Sequence, residues 1–303
     1  MTSSVPSGFG VPLSDLPPEE KAVRAGSFGA VASHYERFRP GPPVAAVDWI
    51  VPRHVGRVVD LGAGTGALTR LLLTKADEVV AVEPDDRMRA VLAEQVPGAR
   101  TLNGRGESIP LPDASADAVL ASSSWHWMDL LPTLHEVARV LVPGGTLGVL
   151  WSGPDPDGPF MAQARDLLAA PAGTAATDTG RDAGTATDRS TATSPGPARA
   201  ELASMIVGDA VRPSSSLAIP SGVPFDGPDH RSFTWDVALD ADDLIGLLGT
   251  LSWIITMPED RRTEVMTEAR RLLRDLLHLE GEATVDVAFR CNAWRSRRQA
   301  ASS

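Results

Sequence analysis

Three glycines at alternate positions mark one stretch of this chain, between a short apolar run and a helix start. Residues 58–69 read VVDLGAGTGALT, with Gly62, Gly64 and Gly66 at that spacing and Asp60 within the apolar run. Glycine lets the backbone turn sharply and lets a ligand approach it closely, while a helix N-terminus carries a partial positive charge. The stretch therefore predicts a strand, a nucleotide-type binding loop and a helix in succession.

Short apolar runs alternate with helical patterns from residue 57 to residue 151, which is typical of βαβ units around a parallel sheet. Strands as apolar as these must be buried on both faces, so helices are expected to cover both faces of the sheet. The predicted strands are 57–61, 78–82, 99–102, 116–121, 146–151, 231–239 and 284–289. The predicted helices are 44–50, 67–74, 85–95, 130–141, 241–253 and 258–280.

Composition divides the chain into four predicted parts. Residues 1–25 are rich in Ser, Pro and Gly and are expected to form a flexible arm before a ligand-binding core at 26–160 with its own N-terminal cap helix. Residues 171–197 consist almost entirely of small and polar types, which predicts a disordered insertion. Residues 198–303 are expected to complete the sheet and to add a helical substrate cap. The arginines near the C-terminus are expected to lie in a solvated tail: Arg295, Arg297 and Arg298.

The formal net charge of −11 over 303 residues argues against a nucleic-acid partner, because binding a polyanion requires a positive surface. The sequence has no apolar run of membrane-spanning length and no secretory leader pattern, so we expect a cytoplasmic protein without a membrane segment. One cysteine, Cys291, and six scattered histidines lack metal-ligand spacing, which predicts no metal site. A small molecule is the expected partner, and the oligomeric state stays open.

The glycine loop alone does not identify its ligand, which could be a dinucleotide or another adenosine-containing molecule. The letters GAGTGA also satisfy the G-x-G-x-x-[GA] pattern of dinucleotide-binding proteins, with Ala67 in the last position. Glu83 ends the second predicted strand, where a carboxylate can accept hydrogen bonds from both ribose hydroxyls. Both readings require such an acid, so the loop and Glu83 together indicate an adenosine-like ligand without choosing between them.

Four motifs in order resemble the class I S-adenosyl-L-methionine-dependent methyltransferases, and within them the methyltransferase type 11 branch, which includes trans-aconitate methyltransferase-like proteins. They are DLGAGTG at residues 60–66, VEP at 82–84, GRGESIPLPDASADAVLASSSWHW at 104–127 and HEVARVLVPGGTLGVL at 135–150. The resemblance implies a Rossmann-like, doubly wound, mostly parallel seven-stranded sheet with S-adenosyl-L-methionine as cofactor.

The resemblance also implies which residues hold the cofactor. Asp60 and the glycine loop are expected to wrap its methionine and ribose portion, Glu83 to take the ribose diol, and residues 105–107 to contact adenine. An N-terminal helix with Tyr35 and Arg39 is expected to cap the site, although a solvated helix face is an equal alternative. The full expected set is Tyr35, Arg39, Asp60, Gly62, Ala63, Gly64, Gly66, Glu83, Pro84, Arg105, Gly106, Glu107 and Ser122.

The letters SSSWHWMD at residues 122–129 end the fourth predicted strand, at the sheet edge where open α/β folds bind ligands. Trp125 and Trp127 are expected to form an apolar acceptor-binding wall, with Trp253 as a further candidate. His126 has three open roles: a general base, a lining residue for substrate or cofactor, or a structural group. Likewise, both tryptophans could simply be core aromatics.

Together these features predict a methyltransferase that acts on a small-molecule acceptor, with O-methylation of a carboxylate or hydroxyl favoured and natural-product tailoring as one setting. A hydroxyl acceptor requires a general base, whereas a carboxylate is already ionised at neutral pH. An NAD-dependent oxidoreductase and a non-catalytic cofactor-binding module are the alternatives. Against the oxidoreductase, neither Lys21 nor Lys75 completes a Tyr-x-x-x-Lys pair.

Overall fold

The computed structural model describes residues 37–38, 40–169, 198, 202, 217–255, 257–277 and 283–300. Its strands are β1 Val55–Leu61, β2 Ala76–Val82, β3 Arg100–Leu102, β4 Ala116–Ser122, β5 Leu141–Pro154, β6 Asp229–Leu239 and β7 Val285–Arg297. Its helices are α1 Val44–Ile50, α2 Ala67–Leu72, α3 Asp86–Gln95, α4 Leu130–Val140, α5 Pro159–Ala169, α6 Ala241–Gly249, α7 Ser252–Ile255 and α8 Glu259–Leu277. The segments predicted to be mobile, residues 1–25 and 171–197, lie outside the described residues.

The strands form one seven-stranded sheet in the order β3-β2-β1-β4-β5-β7-β6. The first five strands run parallel, and β7 runs antiparallel between β5 and β6. The prediction of a mostly parallel, seven-stranded, doubly wound sheet is therefore confirmed. The two strands of the C-terminal third supply one edge of the same sheet, so they share its core.

Helices cover both faces of the sheet because its central strands are apolar on both sides. On one face, α1 and α2 bury Val47, Ile50 and Leu72 against Leu120 and Leu150 of the sheet. On the opposite face, α4 packs its apolar stripe into the main core cluster. Side chains that alternate along β4 and β5 enter these two clusters in turn, as the pleat of a strand requires. The sheet is thus the rigid support for the loops at its carboxyl edge.

The strand order reverses between β1 and β4, the first leading toward β3 and the second toward β6. Loops that leave the carboxyl ends of two such neighbouring strands diverge to opposite faces and leave a crevice between them. Here β1 ends at Leu61, directly before the glycine loop, and β4 ends at Ser122, directly before the tryptophan-rich segment. The two most distinctive sequence motifs therefore face each other across this crevice.

The C-terminal strand departs from the sequence prediction. β7 continues to Arg297 rather than ending near residue 289, so the expected solvated arginine tail is wrong. Arg295 lies over the ring of Trp49 at 4.3 Å and donates a 2.8 Å hydrogen bond to the Trp49 carbonyl oxygen. Arg298 exchanges backbone hydrogen bonds with residues 144–145 of β5. An arginine stem can cover apolar surface while its guanidinium stays polar, which a charge pattern alone does not reveal.

Two further boundaries differ from the prediction for local reasons. β5 begins at Leu141 and includes the Pro-Gly-Gly segment, and its pairing with β4 is irregular there, between Ala116 and Ala118. The predicted helix 241–253 is two helices, because Thr250 closes α6 before α7 begins. Helices α6, α7 and α8 then share a small core of their own, with Ile245, Ile254 and Val265 buried.

No helix in the described part of the chain combines the length and apolarity needed to cross a bilayer.

Candidate active site

The loop that joins β1 to α2 requires glycine at three positions for different reasons. Gly62, Gly64 and Gly66 all have positive φ, at +69°, +57° and +99°, where side chains are strained. A Cβ on Gly62 would lie 2.6 Å from the Cβ of Ser124, and one on Gly66 would lie 2.5 Å from Leu92. A Cβ on Gly64 would meet nothing within 4 Å. Gly64 is thus the glycine whose surroundings leave room for a ligand.

Asp60 lies beneath this loop as a buried carboxylate that is only half satisfied. Its Oδ2 accepts a 2.6 Å hydrogen bond from the Thr69 hydroxyl, whereas its Oδ1 is buried without a hydrogen-bond partner among the described residues. Burial raises the pKa of Asp60 to about 7; the Thr69 bond opposes that rise and the nearby charge of Glu83 adds to it. An unpaired buried carboxylate oxygen is costly, so the site is suited to a positively charged ligand group.

Glu83 closes the other side of the loop from the end of β2. Its Oε2 accepts from the backbone N–H of Gly64 at 2.9 Å and its Oε1 from the N–H of Asp85 at 2.9 Å. Burial raises the pKa of Glu83, and these two hydrogen bonds oppose the rise. Pro84 follows it, and its carbonyl oxygen accepts from Arg89 at 3.0 Å. The carboxylate of Glu83 therefore fixes the loop as well as presenting an acceptor near it.

The segment expected to contact adenine is a tight turn closed by two backbone hydrogen bonds between Arg105 and Ser108. Gly106 is buried in it, and a Cβ there would lie 2.6 Å from Met128 and 2.8 Å from the Thr133 hydroxyl. Glu107 accepts a 2.7 Å hydrogen bond from the backbone N–H of Asp129. Arg105 is exposed. The turn is therefore linked to the segment after β4.

The chain leaves β4 through a strained turn. Ser122 pairs with Leu150 as the last residue of the strand, and Ser123 has a φ of +54°, which is uncommon for a residue with a side chain. Ser124 then donates a 2.8 Å hydrogen bond from its hydroxyl to the carbonyl oxygen of Leu61. Its Cβ also lies against Gly62. Ser124 thereby ties the end of β4 to the start of the glycine loop, across the crevice.

The tryptophan-rich segment forms a short 3-10 helix, Trp125–Trp127. Trp125 is 6% exposed and packs in the main core cluster, which favours the core alternative for that residue. His126 and Trp127 are half-buried, with their ring centroids 5.0 Å apart. The Nδ1 of His126 accepts a 3.2 Å hydrogen bond from the indole Nε1 of Trp151 in β5. His126 is thus held by a residue from the neighbouring strand.

The remaining predicted site residues are less central. Ala63 is buried against Leu92 and Val96, so its side chain supports the loop. Trp253 lies on α7, whereas Tyr35 and Arg39 lie outside the described residues. Three residues at the site were not expected from the sequence. Thr69 and Trp151 donate hydrogen bonds to the predicted residues Asp60 and His126, and Ser124 donates to the carbonyl oxygen of Leu61, next to Gly62. Thr69, nine residues after Asp60 on α2, could have been found from the motif spacing, but no local signal points to Trp151.

Comparison with known proteins assigns the class to which this fold and site belong. A family model described as a methyltransferase domain matches residues 59–149. An uncharacterized methyltransferase of Mycobacterium tuberculosis is 35% identical over 247 residues, covering 82% of this chain and 85% of the relative. The chain therefore belongs to the class I S-adenosyl-L-methionine-dependent methyltransferases, and S-adenosyl-L-methionine is its cofactor. The NAD-dependent alternative is wrong.

Two further comparisons cover different shares of the chain. A malonyl-[acyl-carrier protein] O-methyltransferase of Enterobacter lignolyticus is 30% identical over 136 residues, covering 44% of this chain and 54% of that protein. A solved structure described as a type II methyltransferase from Anaeromyxobacter dehalogenans has a TM-score of 0.52 and 22% identity, covering 86% of this chain and 98% of that one. That structure supports the fold.

The residues around the loop fit this cofactor. S-adenosyl-L-methionine carries a cationic ammonium and sulfonium and a ribose diol, and the loop offers two buried carboxylates, one of them with an unpaired oxygen. The open space at Gly64 lies beside them. Within the described residues, no group of three or more His, Cys, Asp or Glu side chains is arranged to hold a metal ion.

Proposed function

We propose that the protein transfers the methyl group of S-adenosyl-L-methionine to an oxygen atom of a small molecule, either a carboxylate or a hydroxyl. The observation that carries this proposal is the placement of two different surfaces across one crevice. The glycine loop with Asp60 and Glu83 follows β1, and the segment with His126 and Trp127 follows β4. The first surface suits the charged cofactor, and the second is a half-apolar surface for an acceptor.

In this proposal, the cofactor side is held mainly by groups of the first half of the chain. Asp60 accepts from the cofactor ammonium through its unpaired Oδ1, and the ligand occupies the space beside Gly64. Glu83 accepts from the ribose hydroxyls while its bond to the Gly64 N–H keeps the loop in place. Pro84 and the turn at 105–107 would line the adenine end, and Ser122, the last residue of β4, would line the cofactor pocket at the crevice.

When bound, the cofactor supplies an electrophilic methyl group that an oxygen lone pair can attack. The protein's own residues then have to orient the acceptor and exclude water, because alignment of the reacting atoms lowers the barrier by several kcal/mol, roughly 7 to 11 in favourable systems. Trp127 and His126 offer one apolar and one polar contact at the carboxyl edge of the sheet, where the glycine loop also lies. We propose that Trp253 also contacts the acceptor and that Tyr35 and Arg39 contribute to cofactor binding.

Two further observations support an oxygen acceptor of small size. One relative is named an O-methyltransferase, although it matches less than half of this chain. The net charge of −11 disfavours a nucleic-acid substrate, because a polyanion requires a positive surface. The acceptor itself is expected to be a metabolite or natural-product intermediate.

A radiochemical transfer assay tests this proposal. The full-length protein is incubated with methyl-labelled S-adenosyl-L-methionine and pools of small carboxylic acids, alcohols and phenols, and the label is followed into extractable products. The Gly64→Val variant, which blocks the cofactor space, is the control for contamination by other methyltransferases. We expect labelled product that is absent with this variant. Cofactor binding without any labelled product would favour the non-catalytic alternative, and label on protein or nucleic acid alone would overturn a small-molecule acceptor.

A further inference from the structure

The hydrogen bond between Trp151 and His126 decides which nitrogen of the imidazole can carry a proton. An indole N–H can only donate, so the Nδ1 that receives it at 3.2 Å must present its lone pair. In a neutral imidazole the single proton then resides on Nε2, which makes Nε2 a hydrogen-bond donor. Uptake of a proton at Nδ1 would break this bond and place two N–H groups against each other.

The orientation of Trp151 is itself fixed by packing. Its ring meets the ring of Trp294 edge to face, with centroids 5.2 Å apart, and Trp294 is 7% exposed within the main core cluster. The ring of His230 also packs against Trp294, with the two ring centroids 4.6 Å apart. Backbone pairing of β5 with β7 and of β7 with β6 sets these positions. The indole N–H is therefore aimed by the sheet and not by a mobile loop.

We propose that Trp151 is a positioning residue that holds His126 in the Nε2–H form, so that His126 serves the acceptor as a hydrogen-bond donor and not as a general base. This inference rests on the proposed function only in naming the acceptor as the group that receives the hydrogen bond from Nε2. The tautomer follows from the indole contact alone. Its chemical consequence is that the acceptor oxygen reaches the methyl group already free of its proton, as a carboxylate does, or loses it to another group.

Nitrogen NMR of the full-length protein tests the tautomer without any substrate. Histidine labelled with nitrogen-15 gives separate signals for a bare and a protonated ring nitrogen, and the spectrum of His126→Gln identifies which signals belong to His126. We expect a bare Nδ1 and a protonated Nε2 in the native protein and a mixture of both tautomers in Trp151→Phe. Trp49→Phe, a tryptophan on the opposite face of the sheet, is the matched control and should leave the signals unchanged. A protonated Nδ1, or no change in Trp151→Phe, would overturn the proposal.

Once an acceptor has been identified, two substitutions of His126 test whether its Nε2 acts as a hydrogen-bond donor. A glutamine amide places an N–H donor near the position of Nε2, whereas an asparagine side chain reaches only as far as Nδ1. We expect His126→Gln to retain kcat/KM within about threefold and His126→Asn to lose about tenfold or more, the effect of one lost hydrogen bond. Equal losses in both variants would contradict the donor role. Failure to find any methylated product would remove the proposed function and leave the NMR result standing.

Discussion

The two sides of the crevice are built in different ways. The proposed cofactor side consists of one continuous stretch, residues 58–69, plus Glu83 from the adjacent strand, and its contacts are largely backbone and carboxylate. The proposed acceptor side combines His126 after β4 with Trp151 in β5 and Trp294 in β7, which lie far apart in the chain. The first side can specify one constant ligand, whereas the second depends on side chains that the sheet brings together.

The largest expected effect is on the cofactor side, at Gly64. Gly64→Val places a branched side chain at φ +57° into the open space of the loop, so we expect loss of S-adenosylhomocysteine binding. Gly222→Val is the matched control, because Gly222 also has positive φ, at +97°, and nothing lies within 4 Å of its Cβ position. Thermal melting with and without S-adenosylhomocysteine measures the difference. A ligand-induced shift in Gly64→Val equal to that of the control would show that the ligand lies elsewhere.

The buried carboxylate of Asp60 is expected to lower the stability of the ligand-free protein as the pH rises. An unfolded aspartate titrates near pH 4, whereas the pKa of Asp60 in the fold is about 7. The folded protein therefore binds the proton more tightly, and stability falls between about pH 4 and 7, by about 4 kcal/mol for a shift of this size. Above about pH 7 the fold carries the full destabilisation that results from burying the ionised carboxylate.

Asp60→Asn should remove this cost while keeping the acceptor for Thr69. We expect the variant to gain stability relative to the unmodified protein as the pH rises from 5 to 8, measured by urea unfolding at each pH, and to bind cofactor more weakly. A stability difference that does not change with pH would show that Asp60 has an ordinary pKa.

Glu83→Gln should have a smaller effect. The amide keeps one carbonyl oxygen for a backbone N–H but replaces a charged acceptor by a donor, so we expect affinity for S-adenosylhomocysteine to fall by about 1 to 3 kcal/mol. Glu78→Gln on the same strand is the control, since Glu78 pairs with Arg57 instead. Calorimetric titration gives both affinities, and equal values would remove Glu83 from the binding site.

The smallest effect is expected outside the crevice, at Cys291 of β7. The thiol is fully buried between β5 and β6, and burial raises its pKa to about 11. We expect no reaction with a thiol-specific disulfide reagent in the native protein and complete reaction in denaturant. Rapid native labelling would contradict the position of β7 inside the sheet.

The sequence was most informative where a single motif determines both the local backbone conformation and the ligand-binding site. The spacing of Gly62, Gly64 and Gly66 predicted a sharply turning loop, where all three glycines have positive φ, and the alternation of apolar runs predicted the parallel strands. The extension of β7 to Arg297 could not be predicted, because polar arginines there alternate with buried residues that only a neighbouring strand explains. The Trp151 contact to His126 depends on β4 and β5 being adjacent, which no local pattern encodes.

The central claim is that the buried carboxylate of Asp60, beneath the glycine loop, receives the cationic cofactor. Calorimetric titration tests this claim most directly. The protein is titrated with S-adenosylhomocysteine at pH 7 in two buffers of different ionisation enthalpy. With a pKa of about 7, the Asp60 carboxyl is about half protonated at pH 7, and a bound ammonium beside it stabilises the ionised form, so roughly half a proton leaves on binding. We predict saturable binding with a heat that differs between the buffers by about half of their difference in ionisation enthalpy, and equal heats in Asp60→Asn. Saturable binding with the same heat in both buffers would contradict this account of the site.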